Sequence, residues 1–149
     1  MKKQNFKTLL MLGLLSILAV SSASAQSNHE QQANIPFSFA IAGQIFPAGA
    51  YRITRLNPQS DQAALSIKSV DGRMSRIVLT MPVQSGKPNE TAMLVFKHYG
   101  NQYFLSQVWM TADTTGLELP KSRSELTLAR NIREPAPKQT AIALNPRRR

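Results

Sequence analysis

The 149-residue sequence contains no cysteine, which excludes disulfide staples, thiolate catalysis, thiolate metal sites and a lipid-modified N-terminal cysteine. Acid is scarce too, with eight Asp and Glu against eighteen Lys and Arg. The acids beyond Glu30 stand mostly at turn-like positions, among them Asp61, Asp71, Asp113 and Glu118. Aspartates in turns bond their own backbone, so a paired-carboxylate hydrolase is not expected. The two histidines, His29 and His98, are far apart in sequence and neither has a ligand-spaced partner, so neither predicts a metal centre or a proton relay. There is no Gly-x-Ser-x-Gly elbow, no Ser-x-x-Lys with a base in reach and no glycine-rich phosphate loop. These absences predict a chain that is not an enzyme and holds no cofactor.

What is present starts at the N-terminus. Lys2, Lys3 and Lys7 precede an apolar run over 9–20, and Ala23-Ser24-Ala25 follows. That order of positive charge, apolar stretch and small residues is the grammar of a secretory signal peptide. The run is twelve residues long, short of the roughly 20 that a bilayer-spanning helix needs. The reading is therefore a signal peptide over 1–25, cleaved between Ala25 and Gln26, with no transmembrane segment afterwards. The protein is expected to be exported, periplasmic or secreted.

Removal of 25 residues leaves 124, one domain's worth. The formal charge of +10 falls to +7 when the three leader lysines go. Of that, Arg133, Lys138, Arg147, Arg148 and Arg149 against Glu134 supply +4, leaving an ordinary surface charge for the domain itself. Every remaining aromatic falls between Phe37 and Trp109, which places the core there. Residues 26–33 are polar and read as a flexible arm. Pro135-Ala136-Pro137 breaks regular structure, and 133–149 reads as a disordered basic tail.

Between the two ends, over 34–132, the dominant period is two. Ile35, Phe37, Phe39 and Ile41 alternate with small or polar residues as one strand, Ala42-Gly43 turns it back, and Pro47-Ala48-Gly49 turns it again toward Tyr51. Asp71-Gly72 predicts a two-residue type I′ hairpin that puts Leu65, Ile67, Met74 and Val78 on one face, with Arg76 as the exception. The strongest hairpin pivots on Gly100-Asn101, pairing Phe96 with Leu105, His98 with Tyr103 and Ala92 with Trp109. Its second face is apolar as well, with Met93, Val95, Phe104 and Val108, and needs a cover. Ser122 with Glu125 forms a capping box for a helix over about 122–132. The stripe Leu126, Ala129 and Ile132 is expected to dock that helix. Six or seven short strands and one short C-terminal helix predict an all-β domain, a small antiparallel β-sandwich or barrel.

Four motifs carry a resemblance: Asn34-Ile35-Pro36-Phe37-Ser38-Phe39, Phe46-Pro47-Ala48-Gly49 leading to Tyr51, Tyr99-Gly100-Asn101-Gln102-Tyr103-Phe104-Leu105, and Glu118-Leu119-Pro120-Lys121-Ser122-Arg123. Over 34–130 the chain resembles a family of small exported bacterial proteins without an established activity. The resemblance implies export and a compact β domain. It carries over no site residue.

Two functional readings follow. The first is a noncatalytic exported domain that works through its surface, binding an anionic envelope polymer through Arg147, Arg148 and Arg149, to which Lys121, Arg123 and Arg130 add a basic side of the helix, or an envelope protein through an uncovered apolar face. No aromatic platform accompanies the basic tail, so specific nucleic-acid binding is not expected. The alternative is a small apolar-ligand carrier, in which Phe96, Tyr103, Leu105 and Trp109 line a cavity inside the domain.

Overall fold

The computed structural model describes residues 30–57, 63–132 and 137–146. The expected signal peptide, the cleavage expected between Ala25 and Gln26, and Arg147, Arg148 and Arg149 lie outside the described residues. The chain forms two sheets. The first contains β1 (Glu30–Ile35), β4 (Gly49–Arg55), β5 (Ala64–Ser69), β6 (Ser75–Leu79) and β12 (Asn145–Pro146), in the order β12-β1-β4-β5-β6.

The second contains β7 (Met81–Gln84), β8 (Met93–Tyr99), β9 (Gln102–Trp109), β10 (Thr115–Glu118) and β11 (Lys138–Ala143), in the order β11-β8-β9-β10-β7. A short hairpin of β2 (Phe39–Ile41) and β3 (Gln44–Phe46) joins it through parallel pairing of β2 with β9; the other pairs are antiparallel. One helix, α1 (Arg123–Asn131), follows β10. The class is the expected all-β, two-sheet arrangement with one short helix.

Twelve strands occur among the described residues, where six or seven were expected. One cause is Pro36. The alternation of Ile35, Phe39 and Ile41 is real, since all three are buried. The backbone nevertheless leaves the first sheet after Ile35 and enters the second at Phe39. Proline has no N–H to donate, so the ladder breaks where it stands. The side-chain period passes unbroken through a change of sheet.

The two ends of the domain also depart from expectation. Of the arm expected over 26–33, Glu30 to Ala33 belong to β1, which pairs along its length with β4, from Glu30 opposite Thr54 to Ile35 opposite Gly49. The tail over 133–149 includes two strands. β11 pairs with β8 from Lys138 opposite His98 to Ala143 opposite Met93, and β12 pairs with β1. Between them Leu144 is buried and its N–H donates to Ala92 O at 2.8 Å. A ladder needs backbone partners more than apolar side chains, so weak composition concealed a strand that the open edge of β8 stabilises.

The opposite side of the sandwich closes in the same way. The chain runs from β6 in the first sheet to β7 in the second through buried Thr80. Thr80 N–H and Oγ1 both donate to Ala63 O, at 3.0 and 2.6 Å. Both lateral margins are thus crossed by a continuous segment that swaps sheets at one buried residue.

The space between the sheets is filled. Phe39 lies 5.5 Å from Phe46, 5.1 Å from Tyr51 and 5.4 Å from Phe96, measured between ring centroids. All four rings have 2 % exposure or less, with Phe39 stacked on Phe46 and edge-on to Tyr51 and Phe96. Ile35, Ile53, Leu65, Ile67, Leu94 and Leu105 complete the cluster from both sheets. Each fully buried side chain of this size contributes about 1.5–3 kcal/mol. With no disulfide available, this interior holds the layers together.

Two turns correct the sequence reading. In the hairpin of β5 and β6 the expected pairing holds, with Leu65 opposite Val78 and Ile67 opposite Arg76. The turn is not type I′, because only Gly72 has positive φ and its N–H donates to Ser69 O. Ser69 Oγ donates to Asp71 Oδ1 at 2.6 Å and accepts from Met74 N–H, so side chains take over ladder bonds that type I′ would have left to the backbone. The tight type I′ signature falls instead at Ala42-Gly43, where both φ values are positive.

In the hairpin of β8 and β9, Phe96 faces Leu105 and His98 faces Tyr103 as expected. Beyond Val95 a bulge shifts the register, so that Met93 rather than Ala92 faces Trp109. The extra residue is Ser106, whose carbonyl accepts from Leu119 N–H at 2.8 Å.

If the C-terminal segment closes the sandwich, truncating its corner side chain creates a cavity. Leu144→Ala is expected to lower the unfolding free energy by about 2–4 kcal/mol in urea titration. A change below about 0.5 kcal/mol, the range of ordinary surface substitutions, contradicts the role assigned to this segment.

Candidate functional site

The aromatic residues proposed to line a cavity are packed. Phe96 is fully buried, with Phe37 edge-on at 5.2 Å and Phe39 at 5.4 Å. Tyr103 is half-buried between Phe37, stacked at 4.0 Å, and His98, stacked at 5.0 Å. The His98 ring caps the hairpin end, its Nδ1 3.4 Å from Gly100 O. Trp109 lies on the other face of the second sheet, away from the core cluster. Its indole N–H donates to Gln107 Oε1 at 3.1 Å and its ring covers Gly116, where an added Cβ would lie 2.6 Å from the indole carbons. Leu105 belongs to the core. These residues do not share one cavity.

A cavity of about 500 Å³ does open at the surface, between the β3–β4 turn and the β5–β6 turn. Pro47, Ala50, Tyr51, Val70 and Met74 supply its apolar wall, with Asp71 and Arg73 at the polar end. The Asp71 carboxyl is held below the usual range, chiefly by the Ser69 hydroxyl and then by Arg73 N–H. The Tyr51 hydroxyl turns away to donate to Pro47 O at 2.6 Å.

The outer face of the second sheet carries Val95, Tyr99, Phe104 and Trp109, all buried but outside the core cluster. The helix binds there, by means that composition did not suggest. Of its expected apolar stripe, Leu126 is 40 % exposed, while Ala129 and Ile132 are half-buried. The one buried helical side chain is Glu125.

Glu125 N–H donates to Ser122 Oγ at 3.2 Å, and its carboxylate lies near the Ser122 backbone and the Tyr99 hydroxyl, both of which favour its charged form. Ser122 thus caps the helix as expected, and the Glu125 carboxylate faces Tyr99 of β8. Lys97, bridged to Glu118 at 3.6 Å, and Lys121 face it. Burial pushes the Glu125 carboxyl above its ordinary value against the pull of both lysines and both hydrogen bonds. Tyr99 is raised in turn by its own burial and by Glu125. Lys121 thus belongs to a structural charge cluster, whereas Arg123 is exposed on the first helical turn.

The first sheet presents a different outer surface. Register places Leu79 beside Ala64, and Leu56 N–H donates to Ala64 O on the other side, so Leu79, Ala64 and Leu56 form one row. Ile77 stands beside Ser66 in the next row. Leu56, Ile77 and Leu79 are 44 %, 61 % and 65 % exposed, and Met81, past the Thr80 corner, is 57 % exposed. Three of the seven large exposed hydrophobics among the described residues, Leu56, Ile77 and Leu79, therefore share the outer face of the first sheet, whereas Met81 stands opposite Glu118 in the second. This patch escaped sequence reading. Its signal was the run Ile77-Val78-Leu79, which is apolar on both faces where a half-buried strand would alternate.

No group of three or more His, Asp or Glu able to hold a metal occurs among the described residues. No helix among them is long and apolar enough to cross a membrane. Comparison with protein-family models, with curated proteins and with solved structures finds no match for the chain.

Because Glu125 has a raised pKa when docked, its stabilising contribution is fully present below the ordinary carboxyl value and is lost as pH rises through the raised one. Glu125→Gln is therefore expected to gain stability relative to the native chain between acid and neutral pH, measured by urea titration across that range. A difference that does not vary with pH contradicts the burial-driven shift.

Proposed function

We propose that this chain is an exported, noncatalytic β-domain protein of the cell envelope that works by binding through its surface. The leader grammar and the resemblance to small exported bacterial proteins support export. The single observation that carries the binding reading is the group of exposed Leu56, Ile77 and Leu79 on the outer face of the first sheet, outside the core cluster. Apolar side chains left together in water cost solvation free energy, and a surface retains them where something covers them in use.

A small-ligand carrier is the second reading. It rests on the 500 Å³ surface cavity beside Tyr51 and Met74 rather than on the buried aromatics.

Native mass spectrometry of the protein purified from the envelope fraction of its own cells tests both. The surface reading predicts bound protein or amphiphile that is lost in the Ile77→Ser/Leu79→Ser double variant. A small molecule retained by that variant and lost on Met74→Ala favours the carrier. A bare monomer that turns over a substrate contradicts both.

A further inference from the structure

The first sheet ends at β6, and the register shows which backbone groups its free edge presents. Thr80 N–H donates to Ala63 O at 3.0 Å, and Ser69 N–H to Met74 O at 2.9 Å. Hydrogen-bonded pairs alternate along an antiparallel ladder, and the pairing of β5 with β6 runs between these two bonds. Leu65 with Val78 and Ile67 with Arg76 are therefore the bonded pairs. The N–H and C=O of Ser75, Ile77 and Leu79 point away from β5, and among the described residues no strand meets them.

The continuation of this edge into β7 is guarded. Ser85 N–H donates to Thr114 O at 2.9 Å, so in the register of β7 with β10 it is Pro82 that faces outward, where it offers no donor. β6 has no proline, and four of its five residues are exposed. Open backbone flanked by apolar Ile77 and Leu79 fits an added strand.

A two-fold axis at Ile77 selects that strand. An antiparallel second copy of β6 centred there sets Ile77 against Ile77 of the partner, and Ser75 against Leu79 on both sides. Each outward residue then bonds an outward residue. An axis at Ser75 would run the ladder into the turn at Asp71 to Arg73, and one at Leu79 would run it into Met81 and Val83, whose backbone already faces β10. On the outer face bulky Leu79 meets small Ser75. On the other face Arg76 meets Val78 rather than a second arginine, so no like charges are opposed. The pairing occupies the edge of both copies and so closes on itself.

We propose that β6 is a dimerisation edge, on which a second copy of this chain adds its own β6 antiparallel about Ile77. The inference rests on the surface-binding reading above and names its partner. The five-residue contact is about 17 Å long, short of the interface of roughly 2,000 Å² or more that a permanent dimer needs, so association is reversible.

The chain has no cysteine, so Ile77→Cys carries a single thiol. Under mild oxidation it is expected to form a disulfide dimer about tenfold faster than Arg76→Cys, because bonded partners stand about 5.5 Å apart between Cα atoms, whereas the two copies of residue 76 are out of register and beyond the roughly 7 Å that a disulfide spans. Sedimentation equilibrium should show the native chain dimerising as concentration rises. Ile77→Lys and Ile77→Glu should each shift it to monomer, and an equal mixture of the two should recover the dimer, since residue 77 faces itself. Leu126→Ser, on the helix, should dimerise as the native chain does. Circular dichroism checks that each variant is folded, and if the charged variants are not, the two cysteine variants decide the question.

A native chain that stays monomeric up to about 1 mM, where even weak interfaces associate, or equal oxidation of the two cysteine variants, overturns the proposal. If the chain stays monomeric while native mass spectrometry shows a different protein bound through Ile77 and Leu79, the surface reading stands and only the identity of its partner is wrong.

Discussion

A two-layer domain without disulfides depends on what keeps its layers from sliding apart or parting at the margins. Here that is a ring-filled interior bounded by two chain segments, each leaving one sheet and entering the other at a buried residue. Thr80 holds one margin through two hydrogen bonds to Ala63 O, and Leu144 holds the other through its side chain and a bond to Ala92 O. A free sheet margin exposes unsatisfied backbone groups and admits water to the core. A segment shared between sheets satisfies some of those groups and couples the layers covalently. The ten-residue run from Ser75 to Gln84 and the strands at the C-terminus are thus equivalent parts, although only the first lies among the aromatic-rich sequence.

This closure explains why the outer faces differ. The second sheet has an apolar outer surface of Val95, Tyr99, Phe104 and Trp109, which would be costly to leave bare. It is covered in part by a helix that buries a carboxylate, and burial of that charge is tolerable because Ser122, Tyr99, Lys97 and Lys121 surround it. Among the described residues the first sheet has no such cover. Its outer face is mostly polar, with Gln32, Thr54 and Ser66, and turns apolar at the end where β6 leaves for β7. One face is sealed within the chain, and the other presents charge and hydrocarbon to whatever lies outside.

The parts of this arrangement that were legible are those encoded locally. Gly100-Asn101 between apolar alternations specifies a hairpin, and Ser122 with Glu125 specifies a helix start; both occur where the sequence put them. Features set by distant partners were not legible. β11 is stabilised by the open edge of β8, about forty residues earlier in the chain, and nothing in Lys138-Gln139-Thr140-Ala141-Ile142-Ala143 announces that partner. Glu125 reads as a surface residue until Tyr99 is brought against it. The bulge at Ser106 follows from the need to bond Leu119, again a nonlocal demand. For the site, the apolar residues at 96, 103 and 109 were rightly singled out as buried or half-buried, yet their neighbours make them structural. The exposed patch of Ile77 and Leu79 depends on which strand forms the sheet edge, a property of topology rather than of composition.

Amide hydrogen exchange along 138–144 tests the closure most directly, because a strand locked between the two layers and a loose tail differ in protection by orders of magnitude. The account predicts that ladder amides of β11 and the Leu144 amide exchange nearly as slowly as those of β8. Exchange at the rate of an unstructured peptide across that segment, with β8 still protected, would contradict it.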